Sequence, residues 1–349
     1  MRPFHLPGSY LVLELTNVCS LACLHCTVSE EGHPHHDKNG YMSVSLIHEI
    51  FADLARHGGR FDTLILFWLG EPLLHPAFVE IYQEAIRAAV DFRLFGKVEV
   101  HSNATHLRAE LAPALLNRAR VPQVWHFSLD ANSSAVYQRV KGLNRFDKVI
   151  ENIDTFLDVK AARQAPWPRT VFQFIVSDRN AGEALAFRDR WLQRCKSLKL
   201  PVRVAAQQVP DGDDAVVFYR QLDCPTAEEQ QLQNRVFGQV TQQLGLAAPR
   251  LEAEVRADNR GICGCFWKSP VVSWQGELST CTRDNRLENR LGSVVEHGFS
   301  KLWWGPEQAA RRAAVARADY SLLPPCKSCF IPKSSNYSDV TAAEIGALQ

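Results

Sequence analysis

Short apolar segments alternate with helical patterns over the first 206 residues of the chain. Six of these segments are rich in β-branched and aromatic residues, which is typical of β-strands. They are residues 10–16, 63–69, 97–102, 123–129, 170–176 and 202–206. Between them, apolar residues recur at intervals of three and four, which predicts amphipathic helices at residues 46–54, 78–89, 146–157 and 184–192. Alternating strands and helices indicate a parallel sheet, so we expect an α/β fold, either a partial (β/α)6 barrel or a doubly wound sheet.

The pattern changes after residue 206. Residues 209–214 form a turn-rich linker, and a Gln- and Glu-rich helical pattern follows from about residue 226 to 244. From Cys263 onward the chain is rich in Cys, Trp and Gly, and residues 271–278 predict a β-hairpin with its turn at Gln275-Gly276. We therefore expect three parts. They are an α/β part at 1–208, a helical insertion or linker at 209–262, and a cysteine-rich domain of a β-hairpin plus helix at 263–349.

The composition is that of a folded protein with a large core, since 46% of the 349 residues are hydrophobic and 22% are charged. The formal net charge of +1 gives no electrostatic reason to expect nucleic acid or an anionic membrane as the main partner. The N-terminal residues lack the apolar core of a signal peptide, and the longest apolar run, residues 64–69, is far too short to cross a bilayer. We therefore expect a cytoplasmic protein.

Most of the ten cysteines fall into groups. The ten are Cys19, Cys23, Cys26, Cys195, Cys224, Cys263, Cys265, Cys281, Cys326 and Cys329. A disulfide scaffold is typically a short secreted chain, whereas this chain is long and carries no signal peptide pattern. Grouped cysteines in such a chain more often ligate metal or perform redox chemistry, and this is the interpretation that we favour.

The first group, Cys19, Cys23 and Cys26, has the spacing C-x3-C-x2-C. Three thiolates on one short loop can hold three corners of an iron–sulfur cube and leave the fourth iron open, as a catalytic site requires. A structural zinc ion is the alternative, but the neighbouring His25 is awkwardly spaced to complete a tetrahedral site. The loop follows the first strand directly, so it is expected at the C-terminal end of the sheet.

At these residues the chain resembles the radical SAM enzymes, and the resemblance extends over about residues 10 to 210. It implies that the three cysteines hold a [4Fe–4S] cluster whose open iron binds S-adenosylmethionine (AdoMet). Gly70-Glu71-Pro72 follows the second strand and resembles the family's Gly-Gly-Glu-Pro, which binds the methionine amino group; Leu69 replaces its first glycine.

Two later strand ends and one segment downstream of them also resemble family motifs, which implies three further AdoMet-binding residues. Ser102-Asn103 is similar to a Ser-Asn-Gly segment near the ribose, and Ser128 begins a Ser-x-Asp segment at the end of the fourth strand. Lys141-Gly142 is similar to an Arg-Gly pair that contacts the methionine carboxylate, with lysine in place of arginine. The resemblance therefore implies cofactor-binding roles for Asn103, Ser128 and Lys141 and a partial (β/α)6 barrel.

The second group has two pairs of cysteines: Cys265 and Cys281, then Cys326 and Cys329. By spacing alone, four thiolates could hold zinc or an iron–sulfur cluster, and Cys263 could replace Cys265. The pattern, with Gly276 five residues before Cys281, resembles the twitch domain, a shortened relative of the SPASM domain. This resemblance implies one fully ligated auxiliary [4Fe–4S] cluster that passes electrons rather than holding substrate.

Two candidate catalytic residues, His126 and Arg203, lie within the fourth and sixth predicted strands and are expected to face the interior. Cys224, before Pro225, is either a thiol hydrogen donor or an idle thiol. The resemblance implies cleavage of AdoMet to a 5′-deoxyadenosyl radical, with flavodoxin or ferredoxin as electron donor. The expected outcome is a two-electron oxidation of a small polar metabolite. The alternatives are radical modification of a peptide or protein and, in another class, a zinc-binding structural or interaction protein.

Overall fold

The computed structural model describes residues 3–30, 33, 37–224, 226–247, 262–327, 329, 340 and 342–346. The chain divides into two compact units, each assembled from separate stretches of sequence. The first unit contains residues 1–18, 31–99 and 252–349, and the second contains residues 19–30 and 100–251.

Strands and helices alternate as the hydrophobic pattern predicts, which confirms the α/β class. The strands are β1 Tyr10–Leu13, β2 Phe61–Ile65, β3 Phe95–Ser102, β4 Gln123–Ser128, β5 Arg169–Val176, β6 Val202–Ala206, β7 Ala215–Gln221, β8 Val271–Val272, β9 Glu277–Ser279 and β10 Gly292–Ser293. The helices are α1 Val44–His57, α2 Phe78–Asp91, α3 Ala112–Leu115, α4 Ser134–Lys141, α5 Phe146–Arg163, α6 Ala184–Ser197, α7 Ala227–Gln243, α8 Cys265–Lys268, α9 Val294–His297, α10 Phe299–Trp303, α11 Pro306–Val315, α12 Pro324–Lys327 and α13 Ala342–Gly346.

In the first unit the strand order is β10-β9-β8-β1-β2-β3, and the last of these strands continues into the second unit. β1, β2 and β3 are parallel, and β8 pairs in parallel with the other edge of β1, so that Val12 lies opposite Val271. β8 and β9 form the antiparallel hairpin that the sequence predicts, with Gly276 at φ +90° in its turn. The cysteine-rich C-terminal region thus extends the same sheet that begins with β1.

In the second unit the strand order is β4-β5-β7-β6, and every pair is parallel. β7 lies in the segment that we expected to be a linker and a helix, between β5 and β6 of the sheet. The reason for the difference is local: the Asp- and Gly-rich residues 211–214 stand directly before a buried, β-branched and aromatic strand. The turn-like residues therefore led us to predict a linker, although a buried strand begins at the next residue.

Helix ends and aromatic packing set the positions of the strands. Ser43 caps α1 by accepting a hydrogen bond from the Leu46 N–H at 3.1 Å, and α1 ends at a left-handed glycine. In the second unit Phe172 of β5 stacks on Trp191 of α6 with ring centroids 4.1 Å apart. Burial of such large aromatic surfaces fixes the helices against the sheet. Across the residues that the structure describes, no helix has the length and apolar character needed to cross a membrane.

Candidate functional site

The segment 19–26, here called the three-cysteine loop, lies in the second unit directly after the chain leaves the first. The Cys19 side chain is exposed, and those of Cys23 and Cys26 are partly buried. The Cys26 N–H donates to the Cys23 carbonyl at 3.0 Å, which closes a tight turn between these two cysteines. The loop therefore presents its thiols from a folded backbone rather than from an extended strand.

The three-cysteine loop packs its backbone against the C-terminal end of α4. The N–H groups of Ala22 and Leu24 donate to the carbonyls of Lys141 and Val140 at 3.2 and 3.0 Å. These carbonyls have no partner within a helix that ends here, so the loop satisfies them. The helix ends at Gly142 with φ +78°, and a Cβ atom at this position would lie 2.3 Å from the Ala22 carbonyl oxygen. Only glycine allows this close approach.

Asn103, at the C-terminal end of β3, contacts the first cysteine of the loop. Its Nδ2 lies 3.7 Å from the Cys19 Sγ, and its Oδ1 accepts hydrogen bonds from the backbone and the hydroxyl of Thr105. The Thr105 hydroxyl lies 2.8 Å from that of Ser20. The strand end and the loop are therefore joined by a short polar network within the second unit.

Lys141 and Asp130 form a buried ion pair beside the loop, with 2.5 Å between Nζ and Oδ2. Burial disfavours the ammonium, but the Asp130 carboxylate more than offsets this and raises the pKa of Lys141. His25, between the second and third cysteines, lies 3.9 Å from the same carboxylate, and burial lowers the pKa of His25. The Lys141 side chain, expected to bind AdoMet, is thus engaged with Asp130.

In the first unit, Gly70-Glu71-Pro72 passes very close to the end of β1. A Cβ atom on Gly70 would lie 2.1 Å from the Thr16 carbonyl oxygen, so no other residue fits here. Glu71 is buried, and its carboxylate accepts a hydrogen bond from the Leu73 N–H at 3.0 Å, which caps the short 3-10 turn that begins at Pro72. The acidic side chain is therefore held in one orientation by its own turn.

Glu14, just beyond β1, connects this segment to the C-terminal hairpin. Its carboxylate accepts hydrogen bonds from the backbone N–H of Trp274, at 3.1 Å, and of Leu69. The residue is 1% exposed, and burial raises the pKa of Glu14 to about 7 despite both hydrogen bonds. The buried Glu14 carboxyl group thus connects the backbone of Leu69, the residue before Gly70, to the backbone of Trp274 in the hairpin turn.

The cysteines of the second group come together within the first unit. A hydrogen bond with the Cys265 thiol and burial raise the pKa of Cys281 well above its usual range. Burial raises the pKa of Cys326 to about 12, and charges on Cys281 and Cys329 act in the same direction. Because the Cys265 thiol is hydrogen-bonded to the Cys281 thiol, we favour Cys265 over Cys263 as the fourth member of the set.

Two N–H groups of the loop after Cys281 point at thiols of this set. The Arg283 backbone N–H donates to the Cys281 Sγ at 3.3 Å, and the Asn289 side-chain amide donates to the Cys326 Sγ at 3.1 Å. Sequence reasoning did not identify Asn289, because no spacing pattern connects it to a cysteine 37 residues later. Donors of this kind are expected beside ligands that carry negative charge when deprotonated.

Other candidate residues occupy the strands of the second unit. His126 is buried, and its ring stacks on that of His101 with centroids 4.1 Å apart, while the Phe218 ring meets it edge-on. The Ser128 hydroxyl accepts a hydrogen bond from the Gln173 side chain at 3.1 Å. These groups provide polar atoms on β3, β4 and β5, as the alternation along each strand predicts.

Of the two remaining candidate catalytic residues, Arg203 lies in surroundings different from those expected, whereas no particular surroundings were expected for Cys224. Arg203, expected to face the interior, is 53% exposed and pairs with Asp214 near the N-terminal end of β6. Its exposure follows from that ion pair at the start of the strand, which keeps the guanidinium in water. Cys224 lies just past the C-terminal end of β7 with its side chain buried, and its backbone N–H donates to the Gln230 side chain at 2.9 Å.

Comparison with protein families assigns both cysteine-bearing regions. Residues 13–166 match the Radical SAM superfamily, and residues 263–330 match the SPASM family, described as an iron–sulfur cluster-binding domain. A curated relative, a probable GTP 3′,8-cyclase of Methanocella arvoryzae, is 35% identical over 154 residues. The match covers 43% of this chain and 44% of the relative, so it spans less than half the length of that protein.

Two solved structures have a similar fold. Native anSMEcpe with bound AdoMet aligns with a TM-score of 0.57 at 15% identity, over 92% of this chain and 86% of that one. Streptococcus suis SuiB bound to its precursor peptide SuiA aligns with a TM-score of 0.56 at 13% identity, over 93% of this chain and 70% of that one. The radical SAM domain implies a [4Fe–4S] cluster and AdoMet, and the SPASM domain implies an auxiliary iron–sulfur cluster. The chain therefore carries a radical SAM domain and, toward its C-terminal end, a SPASM iron–sulfur cluster-binding domain.

Proposed function

We propose that this radical SAM enzyme reductively cleaves AdoMet and uses the 5′-deoxyadenosyl radical to abstract a hydrogen atom from a small polar metabolite. One electron from a low-potential donor such as flavodoxin or ferredoxin converts AdoMet to methionine and the radical. The substrate radical then loses one electron to the auxiliary cluster and a proton to solvent or a base. The substrate is therefore oxidised by two electrons in total.

The contrast between the two cysteine sets carries this proposal. The three-cysteine loop supplies only three thiols, and its neighbouring His25 lies beside Asp130. In the second set, Cys265 and Cys281 are hydrogen-bonded, and Cys326 and Cys329 contribute to the same group. Four protein ligands leave no iron open to substrate, which favours electron transfer over substrate binding at that cluster.

The remaining residues have proposed roles in binding rather than in bond breaking. Glu71, fixed by its own turn, is proposed to accept a hydrogen bond from the methionine amino group of AdoMet, and Asn103 is proposed to lie near the ribose. Ser128, His126 and Gln173 are proposed to meet a polar substrate, because they supply hydrogen-bonding groups on neighbouring strands. Cys26, Cys19 and Cys23 are proposed to ligate the AdoMet-binding cluster.

A second candidate is radical modification of a peptide or protein. The fold similarity to SuiB bound to its precursor peptide favours this candidate. One relative is described as a probable GTP cyclase, so a small-molecule reaction other than oxidation is a further alternative to test. The zinc-binding alternative is disfavoured by the match of residues 263–330 to the SPASM family, described as an iron–sulfur cluster-binding domain.

The deciding experiment is anaerobic reconstitution with iron and sulfide, followed by metal analysis and addition of dithionite and AdoMet. We expect about eight irons per chain, as two [4Fe–4S] clusters require, and release of 5′-deoxyadenosine. Candidate metabolites and peptides are then compared by the amount of 5′-deoxyadenosine formed and by product mass. A product two hydrogens lighter than its substrate supports dehydrogenation, whereas zinc without iron and no cleavage would overturn the proposal.

A further inference from the structure

One side-chain amide of the loop after Cys281 points at a thiol of the second cysteine set. The Asn289 Nδ2 lies 3.1 Å from the Cys326 Sγ. Asn289 is 3% exposed, so this contact is made away from bulk water. In a low-dielectric environment a hydrogen bond to a charged acceptor is strengthened, and its loss is correspondingly more costly.

The backbone of Asn289 is held on both sides. Its N–H donates to the Asp284 carboxylate at 2.9 Å, and its carbonyl accepts from the Arg311 guanidinium at 2.6 Å. Asp284 also accepts from the Ser279 hydroxyl at 2.6 Å and from the Glu288 N–H at 2.9 Å. The loop is therefore fixed independently of Cys326, and the amide is directed at that thiol by its surroundings.

The chemistry of a ligating cysteine requires a donor at this position. A thiolate accepts hydrogen bonds and cannot donate one, so only the NH2 side of the Asn289 amide can face it favourably. The same contact acts against the burial that raises the pKa of Cys326, because it stabilises the deprotonated sulfur. An apolar side chain of the same size would leave the thiolate without this donor.

We propose that Asn289 tunes the auxiliary cluster, by donating a hydrogen bond to the Cys326 thiolate that raises the reduction potential of the cluster. Reduction adds one negative charge that spreads onto the ligand sulfurs, so an N–H donor stabilises the reduced form more than the oxidised form. Asn289 is a positioning residue in this role, since it acts through Cys326. The inference rests on the proposed function only in taking Cys326 as a cluster ligand.

The test compares the reconstituted full-length protein with Asn289→Leu, which keeps the size and removes the donor, and Asn289→Asp, which replaces the donor with a charge. Midpoint potentials are measured by redox titration followed by electron paramagnetic resonance. The auxiliary cluster is identified as the signal that AdoMet does not alter. Asn144→Leu, an exposed asparagine in the second unit, is the matched control.

We expect both Asn289 variants to retain the iron content of the parent. The reduction equilibrium of the auxiliary cluster should shift about tenfold toward the oxidised form in Asn289→Leu, which is about 59 mV for a one-electron couple, and further in Asn289→Asp. The potential of the AdoMet-binding cluster should not change, and Asn144→Leu should match the parent at both clusters.

Two results would overturn the tuning role: an unchanged auxiliary potential with full iron content in Asn289→Leu, or loss of the auxiliary cluster in both Asn289 variants, which would make the residue purely structural. Failure of the ligand assignment has a different signature. If Cys326→Ala kept about eight irons and the parent auxiliary signal, Cys326 would not be a ligand, whatever the Asn289 variants did.

Discussion

Lys141 and Asp130 face each other across 2.5 Å with their side chains 3% and 0% exposed, directly beside the three-cysteine loop. The Asp130 carboxylate also accepts a hydrogen bond from the Ile175 N–H at 2.6 Å, so each charge is satisfied inside the protein. Lys141 aligns with the family's arginine in sequence, but its ammonium group pairs with Asp130 of the same unit. The pair therefore supports the helix end on which the loop rests.

Removing the cation of this pair should destabilise the protein strongly. In Lys141→Met, Asp130 would remain buried without its cation, which typically costs about 3–5 kcal/mol in the free energy of unfolding. Chemical denaturation followed by circular dichroism measures this loss. The double variant Lys141→Met/Asp130→Asn should recover part of it, because the uncompensated charge is gone.

The matched control is Lys148→Met, since Lys148 is 60% exposed and pairs with an exposed Glu151 at 3.2 Å. Its loss should change the free energy of unfolding by about 0.5 kcal/mol or less. Equal effects of the two lysine substitutions would mean that the buried pair contributes nothing special to stability.

Gly142→Ala should weaken the binding of the first cluster rather than merely the helix. The added Cβ would meet the Ala22 carbonyl oxygen at 2.3 Å, so the loop must move away from the end of α4. We expect lower iron content after reconstitution and loss of 5′-deoxyadenosine formation, with the auxiliary cluster retained.

Gly58→Ala provides the control for backbone strain alone. Gly58 ends α1 with φ +74°, close to the +78° of Gly142, but a Cβ there meets no atom within 4 Å. It should cost about 1–2 kcal/mol in stability and leave iron content unchanged. If both glycine variants kept full iron, the close approach to Ala22 would not matter for cluster binding.

The sequence predicts the elements well where one periodicity dominates. The amphipathic pattern of residues 146–157 became α5, and the apolar run at 123–129 became β4, because each buries one continuous face. β7 was missed because its strand signal follows a turn-rich stretch without a break. Helix α4 was not predicted either, although its Ser133 cap and Gly142 end are both visible in the sequence.

In the candidate site, too, the sequence reveals local patterns but not the partners that tertiary folding brings together. Cysteine spacing identified both thiol sets, because three or four cysteines at such intervals are uncommon outside metal and iron–sulfur sites. Partners that depend on tertiary contact, such as Asp130 for Lys141 and Asn289 for Cys326, have no signature in the sequence. Arg203 was misplaced because alternation within a strand does not reveal a neighbouring Asp214 that draws the side chain outward.

The two cysteine sets should separate AdoMet cleavage from product formation. Cys26→Ala removes one of only three thiols on the first loop, so we expect no 5′-deoxyadenosine with dithionite and AdoMet. Cys329→Ala should still form 5′-deoxyadenosine but should lose oxidised product, because the substrate radical has no electron acceptor. Liquid chromatography of both compounds from the same reaction measures the ratio.

Cys195→Ala is the control for this pair, since Cys195 is fully buried on α6 and burial raises its pKa to about 12. It should keep about eight irons and both products. Cleavage of AdoMet by Cys26→Ala would contradict the assignment of the first loop, and normal product yield from Cys329→Ala would contradict the acceptor role.

Glu14→Gln should change the pH dependence of stability. Because burial raises the pKa of Glu14 from 4.5 to about 7, the folded protein binds a proton that the unfolded chain releases between these values. The parent should therefore be most stable, with respect to this group, below pH 4.5 and lose stability as pH rises through 7. The loss is on the order of 3 kcal/mol, and Glu14→Gln should remove this slope because its side chain does not ionise.

Denaturation at several pH values from 5 to 8 measures the pH dependence of stability, with Glu49→Gln, at an exposed position, as the control. A parent and a Glu14→Gln variant with parallel pH profiles would show that Glu14 is already ionised when buried, and that its hydrogen bonds from Trp274 and Leu69 outweigh the cost of burial.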